Sequence, residues 1–317
     1  VDGETISVQA SLWPVGEDDD PALAAVAEEI LRADPDGSRF AGAVRRSIDM
    51  LLDGQHTGRF RWDQLFKTEK AHLGTLIEIN VQREFGFADG ASMDYSIAGS
   101  DVDCKYSQTL GQWMIPPEAH GHLLLVVWAS DEQSKWSVGL VRALPERLNN
   151  GGNRDAKKTL SAVGRGAVRW LFRDAPLQEN MLLRLSPADV TAVFSHKSGQ
   201  RRVDELFLRA QGRRVSRNVV ATVAMQEDYM KRVRYNGGSR SRLQRHGIVI
   251  LGHYTRHGRI AEVLGLPVPG PGESVSARLA LARACHAGAP TVELDGQEWV
   301  LATADDPEEE VPKLPEI

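Results

Sequence analysis

Cysteine is almost absent from this chain, and that scarcity is the first thing to narrow the chemistry. Cys104 and Cys285 are the two in 317 residues, far apart and outside any zinc or thiol-redox spacing. A disulfide framework is excluded, and free thiols in a reducing compartment are expected. Long apolar runs are missing as well. The longest, Leu123 to Ala129, is closed by His122 and Ser130, so it reads as a buried strand and falls far short of a membrane span. No secretory leader is visible at the start, which makes the cytoplasm the expected location. The nine histidines supply no HExxH or other close ligand set, and His253 with His257 has only the spacing of one helical turn in an expected loop. They read as structural or exposed. A net charge of −5 would argue against a nucleic-acid partner if it were spread evenly, but it is not.

What is present is enough for two cores. At 317 residues and 42% hydrophobic content, two domains are the default expectation. The first is organised around Asp94 to Lys105, read DYSIAGSDVDCK. Apolar and polar residues alternate on either side of Gly99-Ser100, which predicts two short strands joined by a two-residue turn there. In that register Asp94 faces Lys105, Ser96 faces Asp103 and Ala98 faces Asp101. Asp94, Asp103 and Lys105 then share one side, and Tyr95, Ile97, Val102 and Cys104 line the other. Two carboxylates held this close repel unless a cation lies between them, and hard oxygen ligands suit Mg²⁺. Beside a phosphodiester such an arrangement serves hydrolysis. A solvent-facing strand with a weak Asp94–Lys105 ion pair would carry the same residues, and spacing alone does not choose.

Around the hairpin, three helices and a mixed sheet are expected. Asp20-Pro21 opens a first helix with Leu23, Val26, Ile30 and Leu31 on one face, and Ser38 opens a second carrying Phe40, Val44, Ile48, Leu51 and Leu52. The second ends at Leu51-Leu52-Asp53-Gly54, similar to the Lys-x-Asp-Gly motif of DNA ligases but with leucine in the place of the nucleotide-accepting lysine, so adenylation there is excluded. A third helix is predicted from Asp63 to about Glu84. Ala71, Gly74 and Glu78 form one row on it, where small residues let another backbone approach, and Glu78 becomes a candidate third acid. Glu69 is the weaker alternative. Leu123–Ala129 and the stretch from Lys135 supply partner strands. A basic helix is expected over residues 156–172, with a linker at 173–176 between a domain of residues 1–172 and one of 177–317. The arm over residues 1–19 and the acidic, proline-rich tail over 304–317 both read as loose.

Charge is concentrated in the second half. Between His196 and His246 stand thirteen lysines and arginines against four acids, a local surplus of nine positive charges that fits either a polyanion site or a solvated face. Val203–Gln211 predicts one helix, Gly212 to Val215 a turn, and Ser216 an N-cap for a second helix, an arrangement that resembles the helix-turn-helix of the catabolite activator protein family but has a longer turn. Arg217, Asn218 and Thr222 would project from that second helix toward base edges. Arg213, Arg214, Lys231, Arg232 and Arg234 complete the basic set expected at DNA, and HGIVILGHY would serve as a wing.

Four long motifs in order, TEKAHLGTLIEINVQREF, MDYSIAGSDVDCKYS, WMIPPE and MKRVRYNGGSRS, carry a resemblance that short patterns do not. The chain resembles the NaeI type of type II restriction endonuclease from about residue 36 to about residue 270. The resemblance implies an α/β fold with two parts. The first is an N-terminal restriction-endonuclease-like mixed sheet flanked by helices, akin to that of the mismatch-repair nickase MutH. The second is a C-terminal winged helix-turn-helix domain. It further implies a homodimer making Mg²⁺-dependent double-strand cuts in a palindromic site, GCCGGC, with a second copy of the site bound in the C-terminal domain as effector. By matching motifs the catalytic set falls on Glu78, Asp94, Asp103 and Lys105, with the three acids holding the metal. The alternatives from other classes are a non-catalytic winged-helix regulator and a MutH-like single-strand nickase.

Overall fold

Asp20 caps the first helix as its place before Pro21 requires. Its carboxylate accepts the Leu23 N–H at 3.0 Å, and α1 (Pro21–Ala33) buries Leu23, Val26 and Ile30. The stripe of α2 (Ser38–Leu52) is buried from Phe40 through Leu52. A single turn, α3 (Gly54–Thr57), follows, and α4 (Lys67–Phe85) buries Leu73, Ile77, Asn80 and Val81. The third helix thus begins at Lys67; Trp62–Gln64 forms a separate 3-10 turn. These elements come from a computed structural model that describes residues 20–315. The expected arm over residues 1–19 lies outside the described residues. The described residues form two compact units, residues 20–51 with 67–179, and residues 52–66 with 180–315.

The first unit contains a six-stranded sheet in chain order: β1 (Ala88–Asp89), β2 (Tyr95–Ile97), β3 (Ser100–Ser107), β4 (Leu123–Ser130), β5 (Lys135–Arg142) and β6 (Arg169–Pro176). Only the β3–β4 pair is parallel, so the sheet is mixed, as expected. Strand β4, buried from Leu123 to Ala129, is its centre.

Three expectations are corrected here. In the hairpin Tyr95 pairs with Val102 and Ile97 with Ser100, which places the turn at Ala98-Gly99, one residue before the predicted Gly99-Ser100. Both turn residues have positive φ, 50° and 75°, the requirement of a type I′ turn. Moving the turn by one residue moves each cross-strand partner by two, so every side chain keeps its face. Residues 156–172 do not form one helix. Only α5 (Ala162–Gly166) is helical, with Val163 68% exposed, and Arg169 onward is an edge strand. Gly164 and Gly166 weaken a helix there, and the alternation Val168, Trp170, Phe172 favours a strand. The expected linker at 173–176 is accordingly the end of β6, paired at Ala175 and Pro176 with β5.

In the second unit α6 (Pro187–Phe194), α7 (Gly199–Arg209) and α8 (Arg217–Ala224) pack in one core with Phe60, Val215 and Ile250. Strand β7 (Arg214–Ser216) precedes α8, and α9 (Ser239–Gln244), β8 (Ile248–Gly252), α10 (Thr255–Val263) and β9 (Glu273–Leu281) follow. Strand β9 pairs antiparallel with β8 along one edge and with β7 and later β11 (Gln297–Leu301) along the other; β10 (Val292–Leu294) pairs with β11. The stretch expected as a wing, HGIVILGHY, instead supplies an edge strand paired with β9, buried from Ile248 to Gly252. The tail expected to be loose is also packed. Val311 and Leu314 are 1% and 2% exposed, Leu314 N–H donates to the Tyr235 hydroxyl at 2.8 Å, and Glu309 pairs with Arg283. Apolar residues spaced among the acids and prolines anchor it.

Candidate active site

The hairpin gathers the charged face that its alternation requires. Asp103 is 5% exposed, and its Oδ1 accepts from the Lys105 ammonium at 2.6 Å. The same ammonium donates to the Cys104 carbonyl at 3.1 Å and lies 3.9 Å from Asp94 Oδ2. Asp94 Oδ2 in turn accepts the Cys104 N–H at 2.7 Å, which clamps the carboxylate across the two strands. Glu78 approaches from α4, half-buried, within electrostatic reach of all three. The four residues expected as the catalytic set are thus brought together. Glu69 is not with them; it lies in the first turn of α4, roughly 13 Å along the helix axis from Glu78.

Burial sets the electrostatics. It pushes the Asp103 carboxyl up to about 6, with the Asp94 charge acting the same way and Lys105 pulling against both. Burial likewise raises the Glu78 carboxyl, helped by Asp94 and Asp103 and opposed by Lys105. On Lys105 burial works against the charge, but the hydrogen bond to Asp103 and the two carboxylate charges outweigh it and hold the ammonium above the ordinary lysine value. Lys105 is therefore a cation at neutral pH, able to donate and not to accept. Cys104 is buried and its thiol is pushed up to about 12, so it stays inert within the site.

One atom in this cluster is unsatisfied. Asp103 Oδ2 is buried without a hydrogen-bond partner, which costs free energy unless another cation meets it. A hard divalent ion fits that oxygen and the carboxylates of Asp94 and Glu78.

The second unit treats the expected DNA-contacting residues unevenly. Arg213, Arg214 and Arg217 are exposed, although Arg214 lies 3.7 Å from Glu273, and Asn218 is half-buried. Thr222 cannot contact DNA where it stands. It is 2% exposed and packed under α3, so close that a Cβ on Gly54 would come within 2.1 Å of its hydroxyl. From Val219 to Ala224 every residue of α8 is buried, as a helix apolar on all sides must be. That run, VVATVA, carried the signal in the sequence: it has no polar face to offer a groove. Lys231 and Arg234 are exposed, whereas Arg232 is tied to Gln226 and Asp228. A further cluster, Cys285, His286 and Asp306, was not foreseen, because Asp306 joins it from 20 residues away. Both ring nitrogens of His286 are already engaged, by the Arg283 N–H and Asp306, and Thr303 donates twice to Asp306, so it reads as a self-satisfied knot. No helix among the described residues is long and apolar enough to cross a membrane.

Known proteins match nearly the whole of this chain. Residues 24–310 fit the family model described as restriction endonuclease NaeI. The chain is also 49% identical over 306 residues to the type II restriction enzyme NaeI of Lentzea aerocolonigenes, a match covering 94% of this chain and 95% of that protein. The charged hairpin with its orphaned carboxylate oxygen sits inside the matched region, and the chain belongs to the NaeI family of restriction endonucleases.

Proposed function

We propose that this site-specific deoxyribonuclease hydrolyses both strands of a palindromic DNA site, GCCGGC, at the β2–β3 hairpin, with Asp94, Asp103 and Glu78 holding Mg²⁺ and Lys105 facing the reacting phosphate. The observation that carries the reading is the buried, unpartnered Asp103 Oδ2 beside a second carboxylate and a protonated lysine. When bound, the ion would supply charge to the phosphoryl oxygens and acidify a water. Lys105, held as an ammonium by Asp103, donates to the water or to the phosphoryl oxygens on which negative charge develops, and so positions rather than deprotonates. Glu78, whose carboxyl burial brings nearer to neutrality, assists directly or through a water. In the hydrolysis the water oxygen bonds to phosphorus and loses a proton to the surrounding solvent, the P–O ester bond breaks, and the leaving oxygen takes up one proton in return, so that the count is unchanged.

A palindrome suits a homodimer, each protomer cutting one strand. The second unit is read as the effector-binding part. Its chain order, α7, β7, α8, α9, β8, β9, with β9 paired between β7 and β8, supports a winged-helix arrangement. In that order the third helix, α9, with the basic stretch Lys231–Arg234 before it, takes the place of the groove-reading element, and α8 is its buried support. Arg217 and Asn218 at the start of α8, with Arg213 and Arg214, then serve phosphates. Supercoiled plasmid incubated with Mg²⁺ or with EDTA tests the reaction. Linear product in Mg²⁺ alone supports double-strand cleavage; open circles as the end product would indicate a nickase, and intact plasmid a non-catalytic binder.

A further inference from the structure

The cluster is built from two separate elements, the hairpin and α4, and one side chain joins them at the site itself. Tyr95 is 0% exposed, and its hydroxyl donates to the main-chain carbonyl of Glu78 at 2.8 Å. A carbonyl in the interior of a helix already accepts from the N–H four residues on. The phenol bond is therefore additional, and what it adds is a tie between helix and strand. Tyr95 itself is fixed in three ways. Its backbone pairs with Asp89 on one side and Val102 on the other, and its ring packs against Phe87 at 5.6 Å. Its chain neighbour Asp94 is clamped by the Cys104 N–H. The opposite side of α4 is pinned by Asn80, whose amide donates to the Ser47 hydroxyl at 3.0 Å.

We propose that Tyr95 is a positioning residue for DNA cleavage, its hydroxyl setting the height of α4, and so of the Glu78 carboxyl, against Asp94 and Asp103. The inference rests on the reading of Glu78, Asp94 and Asp103 as the catalytic set. A rigid phenol suits the role, since two side-chain torsions buried in a packed core leave little play. Misplacement of a reacting group by an ångström costs on the order of 100-fold in rate. Loss of the tie releases the helix on the hairpin side only, so a smaller loss is expected.

Tyr95→Phe keeps the ring and removes the hydroxyl. With full-length protein, three properties separate positioning from mere stability: DNA binding in Ca²⁺, the single-turnover cleavage rate, and the Mg²⁺ concentration giving half of that rate. Binding should be unchanged, the maximal rate should fall about 10- to 100-fold, and the Mg²⁺ midpoint should rise. Ile97→Val, a buried change in the same hairpin, is the stability control. A wild-type rate and midpoint for Tyr95→Phe while it is folded would overturn the inference. So would an equal loss in Ile97→Val at an equal drop in Tm. Glu78→Gln separates the two levels: if it is dead while Tyr95→Phe is normal, only the positioning role fails, and if it cuts normally, the site reading fails as well.

Discussion

Ala98 holds a backbone conformation that its own Cβ resists. At φ 50° it occupies the first place of a type I′ turn, where glycine or asparagine is favoured. Ala98→Gly should therefore stabilise the protein by ~1 kcal/mol in urea unfolding, and a loss of stability would count against this turn. The pattern of the sequence pointed one residue further on because glycine and serine are the commoner turn formers. The charged face was nevertheless legible, since alternation alone assigns faces and a two-residue change of partner preserves them. What alternation could not reveal was burial. Asp103, carried into the unit with its carboxyl raised to about 6, binds a proton in the native state at pH values where the unfolded chain, with a pKa of about 4, does not. The metal-free protein thus gains stability as pH falls through 6 and carries the full penalty above it. Asp103→Asn removes the penalty. In EDTA at pH 7.5 the variant should be the more stable by ~1–3 kcal/mol, the difference vanishing near pH 4. Urea titrations at the two pH values check both the sign and the window.

Elements with one apolar stripe, such as α1 and α2, or with a short unbroken apolar run, such as β4, were legible from residue spacing. Those whose packing depends on distant chain were not. The tail reads as loose because prolines and acids dominate it, yet Val311 and Leu314 are buried beside residues nearly 80 positions earlier. Leu314→Ala should cost ~2–5 kcal/mol, as for a core leucine, where a loose tail would show no change in unfolding midpoint. Residues 52–66 make the same point. They sit between two helices of the first unit in sequence but pack in the second, where Phe60 stacks on Phe194 at 5.8 Å and its carbonyl accepts from Asn180. A fragment beginning at Leu177 therefore lacks part of its own core. It should expose the face of α8 that α3 covers and aggregate or unfold at temperatures where the intact chain does not, as thermal melts of fragment and full chain would reveal.

At the scale of the whole molecule, two units joined by three chain crossings share one polypeptide, and the basic surplus lies in the second while the candidate site lies in the first. If the second unit takes an effector duplex, a plasmid with one site should be cut slowly, short duplexes carrying the site should accelerate it, and occupancy of one site should raise affinity at the other by roughly 5- to 150-fold. Inhibition at every duplex concentration would decide against an effector role. Arg217→Ala and Arg234→Ala should each weaken that activation. The family was legible from long motifs, and the burial of α8 in the second unit was not, because it depends on which faces other segments cover. The central claim, metal-dependent hydrolysis at the β2–β3 hairpin, is met most directly by one measurement. Wild type and Asp103→Asn are compared for cleavage of a plasmid carrying GCCGGC in Mg²⁺, with DNA binding followed in parallel in Ca²⁺. The account predicts equal binding, with linear product from the wild type alone and only in the presence of metal. Cleavage by Asp103→Asn at a rate near that of the wild type, or cleavage that persists in EDTA, would contradict it.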